Sequence, residues 1–339
     1  MKLFAGSQSK NLAESISKLL NFPLAQYELV KFGDSELKPV IKEDVRGEDC
    51  IIIASTSNPV NDSYMEFFLL VDALRRNAAK RIVAVMPYFG YARQNQQHMP
   101  GEPVSARVMV KFIQAVGVDE LITIDLHEEQ LTGFFDIPIT HLSALPILAE
   151  VIANKLVSRH SRESGNPVLV LSPDQGGVER TRTFREALAN ELNRHSREGG
   201  NPENNTMDPR LESGMTMVID QEIGIVEKLR NLEGQHETKV VEITGDVKDK
   251  IVIIPDDVIV SGGTIIHAAE VAKEKGGSVV YLAATHADFI EGTVGALQNA
   301  PVEKIFVTDT IQIKDEWKFE KLEIVSVSDL LADHIRKLL

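Results

Sequence analysis

The run Val-Ile-Ile-Pro-Asp-Asp-Val-Ile-Val-Ser-Gly-Gly-Thr over residues 252–264 constrains this chain more than any other stretch. An apolar strand ends in two adjacent carboxylates, Asp256 and Asp257. A short loop follows, and the pattern after it predicts a helix over 265–275. Gly262 and Gly263 let backbone N–H groups approach an anion with no Cβ in the way. The helix N-terminus adds free N–H donors and partial positive charge. Ser261 and Thr264 supply hydroxyls. In open α/β sheets ligands bind beyond the carboxyl ends of strands, where Asp256 and Asp257 could accept hydrogen bonds from sugar hydroxyls. An ordinary strand-to-helix turn needs one glycine and one cap. Two acids with a phosphate-sized loop read instead as a holder for a phosphorylated sugar.

The rest of the chain supplies the frame for such a loop. Apolar strand-like runs at 50–54, 81–86, 120–124, 168–171, 251–254 and 278–283 alternate with helical patterns at 11–20, 64–77, 106–115, 145–156, 179–192 and 327–338. Continuous apolar strands between helices predict parallel sheets covered on both faces. At 339 residues two units are expected. The boundary falls near 144–148, giving units of 1–145 and 146–339. The layout repeats between them, because the strands at 121–125 and 251–256 both end in an acid.

A net charge of −14 argues against general binding to nucleic acid or to an anionic membrane. Any site for anionic substrates must therefore be built from local cations and metal. The single Cys50 lies in an apolar strand-like run and reads as a buried thiol, so no intrachain disulfide can form. The N-terminal residues begin directly as a strand, with no signal peptide in view. No apolar run reaches the roughly 18 residues of a membrane span. A cytoplasmic protein is expected.

One pattern stands apart. Ser-Arg-His-Ser-Arg-Glu-Ser-Gly-Asn-Pro at 158–167 recurs as Asn-Arg-His-Ser-Arg-Glu-Gly-Gly-Asn-Pro at 193–202. There is no third copy, so a solenoid is excluded. The polar composition reads as inserted surface loops near 158–167 and 193–215 with no catalytic role. The copies resemble peptides translated from short repeats dispersed in bacterial genomes. An Arg/His anion patch is the alternative.

Other residues carry candidate chemistry. Arg93 and Gln94 follow an aromatic strand end at 86–92, where an arginine can fork onto phosphate and a ring can stack on a base. Phe32, Asp34 and Glu36 place an aromatic beside two acids. His127 follows a strand in Asp-Leu-His and is a candidate metal ligand or proton handler. Asp174 begins a second strand-end acid and glycine loop, Ser-Pro-Asp-Gln-Gly-Gly at 172–177, and could hold Mg2+ directly or through water.

Taken in order, these motifs resemble the ribose-phosphate diphosphokinase (PRPP synthetase) family. The match runs through 32–36, 61–66, 87–94, 101–105, 125–127, 133–136, 172–177, 245–247, 256–264, 284–286 and 308–310, nearly the whole chain outside the repeats. The resemblance implies an α/β fold of two tandem phosphoribosyltransferase-type (Rossmann-like) domains, the first with ATP-binding elements and the second with the ribose-5-phosphate loop. It implies transfer of the diphosphoryl group of ATP to C1 of ribose 5-phosphate, giving PRPP and AMP, with Mg2+. Phe32, Asp34 and Glu36 would contact adenine from a neighbouring subunit. Arg93, Gln94 and His127 would hold ATP and its metal. Asp174 would lie near metal and ribose. Asp256, Asp257, Ser261, Gly262, Gly263 and Thr264 would hold ribose 5-phosphate. A Lys-x-Arg pair on a mobile loop would stabilise the transferring group, and Lys228 and Arg230 fit it. The family also implies a dimer-based homo-oligomer, a hexamer in its usual form.

The chain departs from the family at Val260, where many members carry an acid. It departs again at Asn95, Gln96 and Gln97, where acidic and basic residues are usual. Two other readings therefore stand beside the active enzyme. One is a catalytically impaired regulatory or binding paralogue. The other is a phosphoribosyltransferase, against which the tandem layout and the nucleotide elements argue.

Overall fold

The structure is a computed structural model and describes residues 1–160, 166–198, 218–230 and 239–338. The first part of the chain gives β1 (Lys2–Ala5), α1 (Lys10–Leu20), β2 (Tyr27–Lys31), β3 (Leu37–Ile41), β4 (Asp49–Ile53), α2 (Val60–Arg76), β5 (Arg81–Met86), α3 (Ser105–Val116), β6 (Glu120–Ile124) and β7 (Ile139–Leu142). The second gives α4 (Leu145–His160), β8 (Val168–Ser172), α5 (Val178–Glu198), β9 (Gly224–Arg230), β10 (Lys239–Thr244), β11 (Ile251–Ile259), α6 (Gly263–Glu274), β12 (Val279–Ala287), α7 (Thr293–Asn299), β13 (Lys304–Thr308), β14 (Leu322–Val325) and α8 (Ser328–Arg336).

Two sheets result. The first has the order β1-β4-β5-β6-β7 and is parallel throughout. The second has the order β10-β9-β8-β11-β12-β13-β14, parallel except for the β9–β10 pair at one edge. The expected α/β class with mainly parallel, helix-covered sheets is what the chain adopts. Strand parity explains the layering, because successive side chains point to opposite faces. In β4 and β5, Ile52, Ala84 and Met86 pack with Phe67 and Leu70 of α2 and Val110 of α3. Their neighbours Ile51, Ile53, Val83 and Val85 pack on the other face with Leu12 and Ile16 of α1. In the second sheet Val252 and Ile254 face α6, and Ile251 and Ile253 face α4 and α5.

The C-terminal helix departs from a simple division at 145/146. Val327, Leu331, Ala332 and Ile335 join the cluster of the first sheet beside Leu12 and Ile16, and Arg336 donates to the carbonyl of Leu19 at 2.8 Å. Apolar periodicity gives a helix but does not say which sheet it covers.

The repeats are also corrected in part. Residues 158–160 complete α4 and 193–198 complete α5, so these parts of the decapeptides are helical rather than looped. The first Gly or Pro of each copy comes later, so nothing in its opening residues stops a helix already under way. Residues 161–165 and 199–217 lie outside the described residues. Among the described residues no helix is long and apolar enough to cross a membrane.

Candidate active site

The second sheet brings Asp256 and Asp257 to the point where the two sheets meet. The sequence suggests acids just past a strand, but β11 continues through both of them to Ile259. Asp257 is buried at 3% exposure, which requires partners for its charge. It has two. His127, in the loop after β6, places Nδ1 2.7 Å from Asp257 Oδ2. Arg180, in the first turns of α5, places Nη1 2.9 Å from Asp256 Oδ1 and 3.1 Å from Asp257 Oδ1. The same guanidinium donates through Nη2 to the carbonyl of His127 at 3.3 Å.

The electrostatics follow from this geometry. Burial pushes the Asp256 carboxyl well above the usual carboxylate range, and the adjacent Asp257 charge adds to it against the pull of Arg180. Burial also pushes Asp257 upward, but the His127 hydrogen bond and the Arg180 charge outweigh it and hold Asp257 below that range. The hydrogen bond to Asp257 raises the pKa of His127 against the opposing effect of burial. The site thus holds one firmly ionised carboxylate between an imidazole and a guanidinium, beside a second carboxyl that takes up a proton readily.

Around this junction the anion-binding parts are open to solvent. Gly262 has φ 77°, a left-handed conformation that favours glycine, and it turns the chain from Ser261 into α6. Ser261, Gly263 and Thr264 are exposed. The first N–H groups of α6 have no acceptor one turn back, which suits them to phosphate oxygens. Val260 adds no polar side chain; its carbonyl accepts from Thr293 Oγ1 at 2.6 Å, which anchors the loop. Asp174 precedes α5, is exposed, and accepts from Gly177 N–H at 3.0 Å through Oδ1. A narrow cleft lined by Arg93, Leu126, His127, Asp257 and Tyr88 joins the two halves. Arg93 and Gln94 are exposed at its rim, and Gln94 Oε1 accepts from Ser105 Oγ at 2.7 Å at the start of α3.

The geometry brings Arg93, His127, Asp256 and Asp257 together and leaves other expected residues apart. Phe32, Asp34 and Glu36 form the tip of the separate β2–β3 ribbon. Among the described residues no hydrogen bond or ion pair joins that tip to the cleft; its bonds are local, such as Glu36 N–H to Asp34 Oδ1 at 3.2 Å. Phe32 is 43% exposed, with Lys38 Nζ 5.2 Å from its ring centre. Residues 228 and 230 sit in β9, a strand of the edge ribbon rather than a loop, and the side chains of Lys228 and Arg230 lie outside the described residues.

For a metal the donor set is sparse. Among the described residues no three His, Cys, Asp or Glu side chains converge into a protein-built cage. This suits Mg2+, which keeps several waters and is held by one or two carboxylates and substrate phosphates. Asp174 offers such a carboxylate. His127 has Nδ1 engaged by Asp257 and keeps Nε2 for a ligand or a phosphate oxygen.

Arg180 is the residue that sequence reasoning missed. Its signal was an arginine in the first turn of a predicted helix, just after the Gly176-Gly177 loop. At that place a side chain can point back at the strand-end acids.

The chain is similar to known proteins over nearly its whole length. Residues 1–117 match the N-terminal domain of ribose phosphate pyrophosphokinase, and residues 165–339 match the phosphoribosyl synthetase-associated domain. The chain is 35% identical over 335 residues to ribose-phosphate pyrophosphokinase 1 of Streptococcus agalactiae, covering 99% of this chain and 92% of the relative. It is 36% identical over 338 residues to ribose-phosphate pyrophosphokinase of Aquifex aeolicus, covering 100% and 96%. The crystal structure of phosphoribosylpyrophosphate synthetase from Mycobacterium smegmatis superposes with a TM-score of 0.82 at 29% identity, covering 99% of this chain and 98% of that one. On sequence and fold together, the chain belongs to the ribose-phosphate pyrophosphokinase family.

Proposed function

We propose that this chain transfers the β,γ-diphosphoryl group of ATP to the C1 hydroxyl of ribose 5-phosphate, releasing PRPP and AMP. The observation that carries the reading is the junction of His127 with Asp257 and Arg180. It joins the nucleotide side of the cleft, with Arg93, to the sugar-phosphate side, which runs from Asp256 to Thr264.

Each group then has a task. Ser261, Gly262, Gly263 and Thr264 with the start of α6 hold the 5-phosphate. Asp256 and Asp257 receive the ribose hydroxyls. Arg93 and Gln94 hold the triphosphate, and His127 donates to it through Nε2. Phe32, Asp34 and Glu36 supply the adenine contact from a second copy of the chain, which calls for a homo-oligomer built from dimers. Such a protein would work in the cytoplasm. The unit 1–145 carries the nucleotide elements and 146–339 the sugar-phosphate loop, with α8 returning to the first sheet. The C1 oxygen attacks the β-phosphorus, the bond from that phosphorus to the bridging α-phosphoryl oxygen breaks, and AMP leaves with that oxygen. The hydroxyl proton passes to solvent. Lys228 and Arg230 neutralise charge on the transferring oxygens, so the chemistry is mostly positioning and electrostatics. Mg2+, when bound through Asp174 and the phosphates, supplies further charge neutralisation.

The test is AMP and PRPP release from ATP plus ribose 5-phosphate by the purified protein, with and without Mg2+. Equal amounts of both products, only with Mg2+, are expected. Binding of both substrates without turnover would reassign the chain as an impaired paralogue, with Val260 and Asn95 to Gln97 as the first residues to restore. Consumption of PRPP with a free base would point to a phosphoribosyltransferase.

A further inference from the structure

Asp125 directly follows β6 with φ 36°, a left-handed conformation that an L-residue keeps only when its surroundings impose it. The surroundings come from both sheets. Within its own half, Asp125 N–H donates to Leu142 O at 2.9 Å and Oδ2 accepts from Ala144 N–H at 2.9 Å. Across the seam, Oδ2 accepts from Thr285 Oγ1 at 2.6 Å, and the Asp125 carbonyl lies 3.1 Å from His286 Nε2. His286 is buried at 3% exposure, with its ring centre 4.9 Å from that of Tyr88.

The chemistry fixes the proton positions. A carbonyl only accepts, so His286 Nε2 carries the hydrogen and donates to Asp125 O. Burial holds the pKa of His286 below its ordinary value, against the pull of Asp125. Thr310 Oγ1 lies 2.9 Å from its Nδ1. Thr308 Oγ1 and Thr310 Oγ1 both lie within hydrogen-bond reach of the Thr285 carbonyl, at 2.5 and 3.0 Å. Thr310, His286 and Asp125 therefore form one buried line of polar contacts across the seam, in which His286 Nε2 donates to Asp125 O.

We propose that His286 is a positioning residue: by clamping the Asp125 carbonyl from the second sheet it sets the backbone that aims His127, two residues on, at Asp257. The substrate reading enters only in what His127 is for; the clamp itself is a property of the free protein. A phenylalanine would fill the same volume but take the His286 donor away from the Asp125 carbonyl. A glutamine keeps an N–H donor at about the reach of Nε2.

The test is a 1H–15N spectrum of the full-length, 15N-histidine-labelled protein without substrates, at a fixed pH of about 5.5, below the ordinary histidine pKa. The His127 Nδ1–H resonance is assigned by its loss in His127→Asn. In the wild type and in His286→Gln it is expected downfield, at matching positions. In His286→Phe it moves upfield or is lost to solvent exchange, although the protein stays folded by circular dichroism. An unchanged His127 resonance in His286→Phe overturns the proposal, and so does equal loss in the Gln and Phe variants. Should His286→Phe fail to fold, Thr310→Val removes the hydroxyl that contacts His286 Nδ1. It is expected to move the His127 signal the same way, and no movement overturns the proposal. A wild-type protein that makes no PRPP while giving these spectra would count against the proposed reaction and leave the clamp standing.

Discussion

His127 and Asp257 meet across the seam between the two sheets, Nδ1 to Oδ2 at 2.7 Å, with the imidazole one-third exposed and the carboxylate almost fully buried. Their pairing makes the ligand-free protein pH-sensitive in a defined direction. The folded pKa of His127 is raised, so its contribution to stability is complete below the unfolded value of about 6.5 and is lost as pH rises through the folded value. The folded pKa of Asp257 is depressed, so its contribution is complete above about 3.9 and is lost as pH falls through the folded value. Joint stabilisation is thus fullest between about pH 4 and 6.5. An NMR titration is expected to place the His127 midpoint above about 6.5, and Asp257→Asn to bring it down. A midpoint at or below the ordinary value in the wild type would contradict the pairing.

Arg180 holds two adjacent carboxylates with one guanidinium, and all three side chains are less than one-fifth exposed. Arg180→Met leaves Asp256 and Asp257 facing each other without the cation, and one of them must take a proton. A loss of about 3 kcal/mol in denaturant unfolding is expected, as for removal of one partner from a buried ion pair. Arg180→Lys restores charge but not the fork, so it recovers stability more than it recovers ribose 5-phosphate affinity. Titration calorimetry with ribose 5-phosphate separates the two. Equal recovery of both would show that charge alone matters.

The fold was legible because its signals are local and repeated. Strands such as Arg81–Met86 and Glu120–Ile124 are apolar on both faces, and the helices between them carry one apolar side each. The strand-to-helix loop from Asp256 to Thr264 was legible for the same reason, because it is contiguous. The contacts between the sheets were not. Arg180 meets His127 from 53 positions away and Thr285 meets Asp125 from 160, and no periodicity encodes such pairs. The placement of α8 on the first sheet was hidden likewise, because a helix's apolar stripe does not name its partner.

Gly90 shows how tightly the turn before Arg93 is packed. A Cβ at this position would lie 2.4 Å from the carbonyl oxygen of Thr56 and 2.6 Å from Val60 Cγ2. Gly90 N–H also donates to Thr56 Oγ1 at 2.8 Å, so the two segments cannot simply part. Gly90→Ala is expected to cost about 2 kcal/mol through overpacking. The displaced turn carries Arg93 with it, so the Michaelis constant for ATP should rise more than that for ribose 5-phosphate. Unchanged unfolding and an unchanged constant for ATP would show that the turn yields without consequence.

The proposed reaction gives Lys228 a part that kinetics can check. A diphosphoryl group in flight spreads negative charge over its non-bridging oxygens, and a cation that meets it only then raises turnover without tightening substrate binding. Removing one such group costs about 10²- to 10³-fold in turnover. Lys228→Ala is therefore expected to reduce kcat by roughly that factor while the dissociation constants of ATP and ribose 5-phosphate stay within about threefold. Arg230→Ala should behave alike. Because the two cations share one task, the double variant should lose far less than the product of the single losses. Steady-state rates and equilibrium binding on the same preparations decide the matter. Wild-type turnover in Lys228→Ala would remove the residue from the reaction.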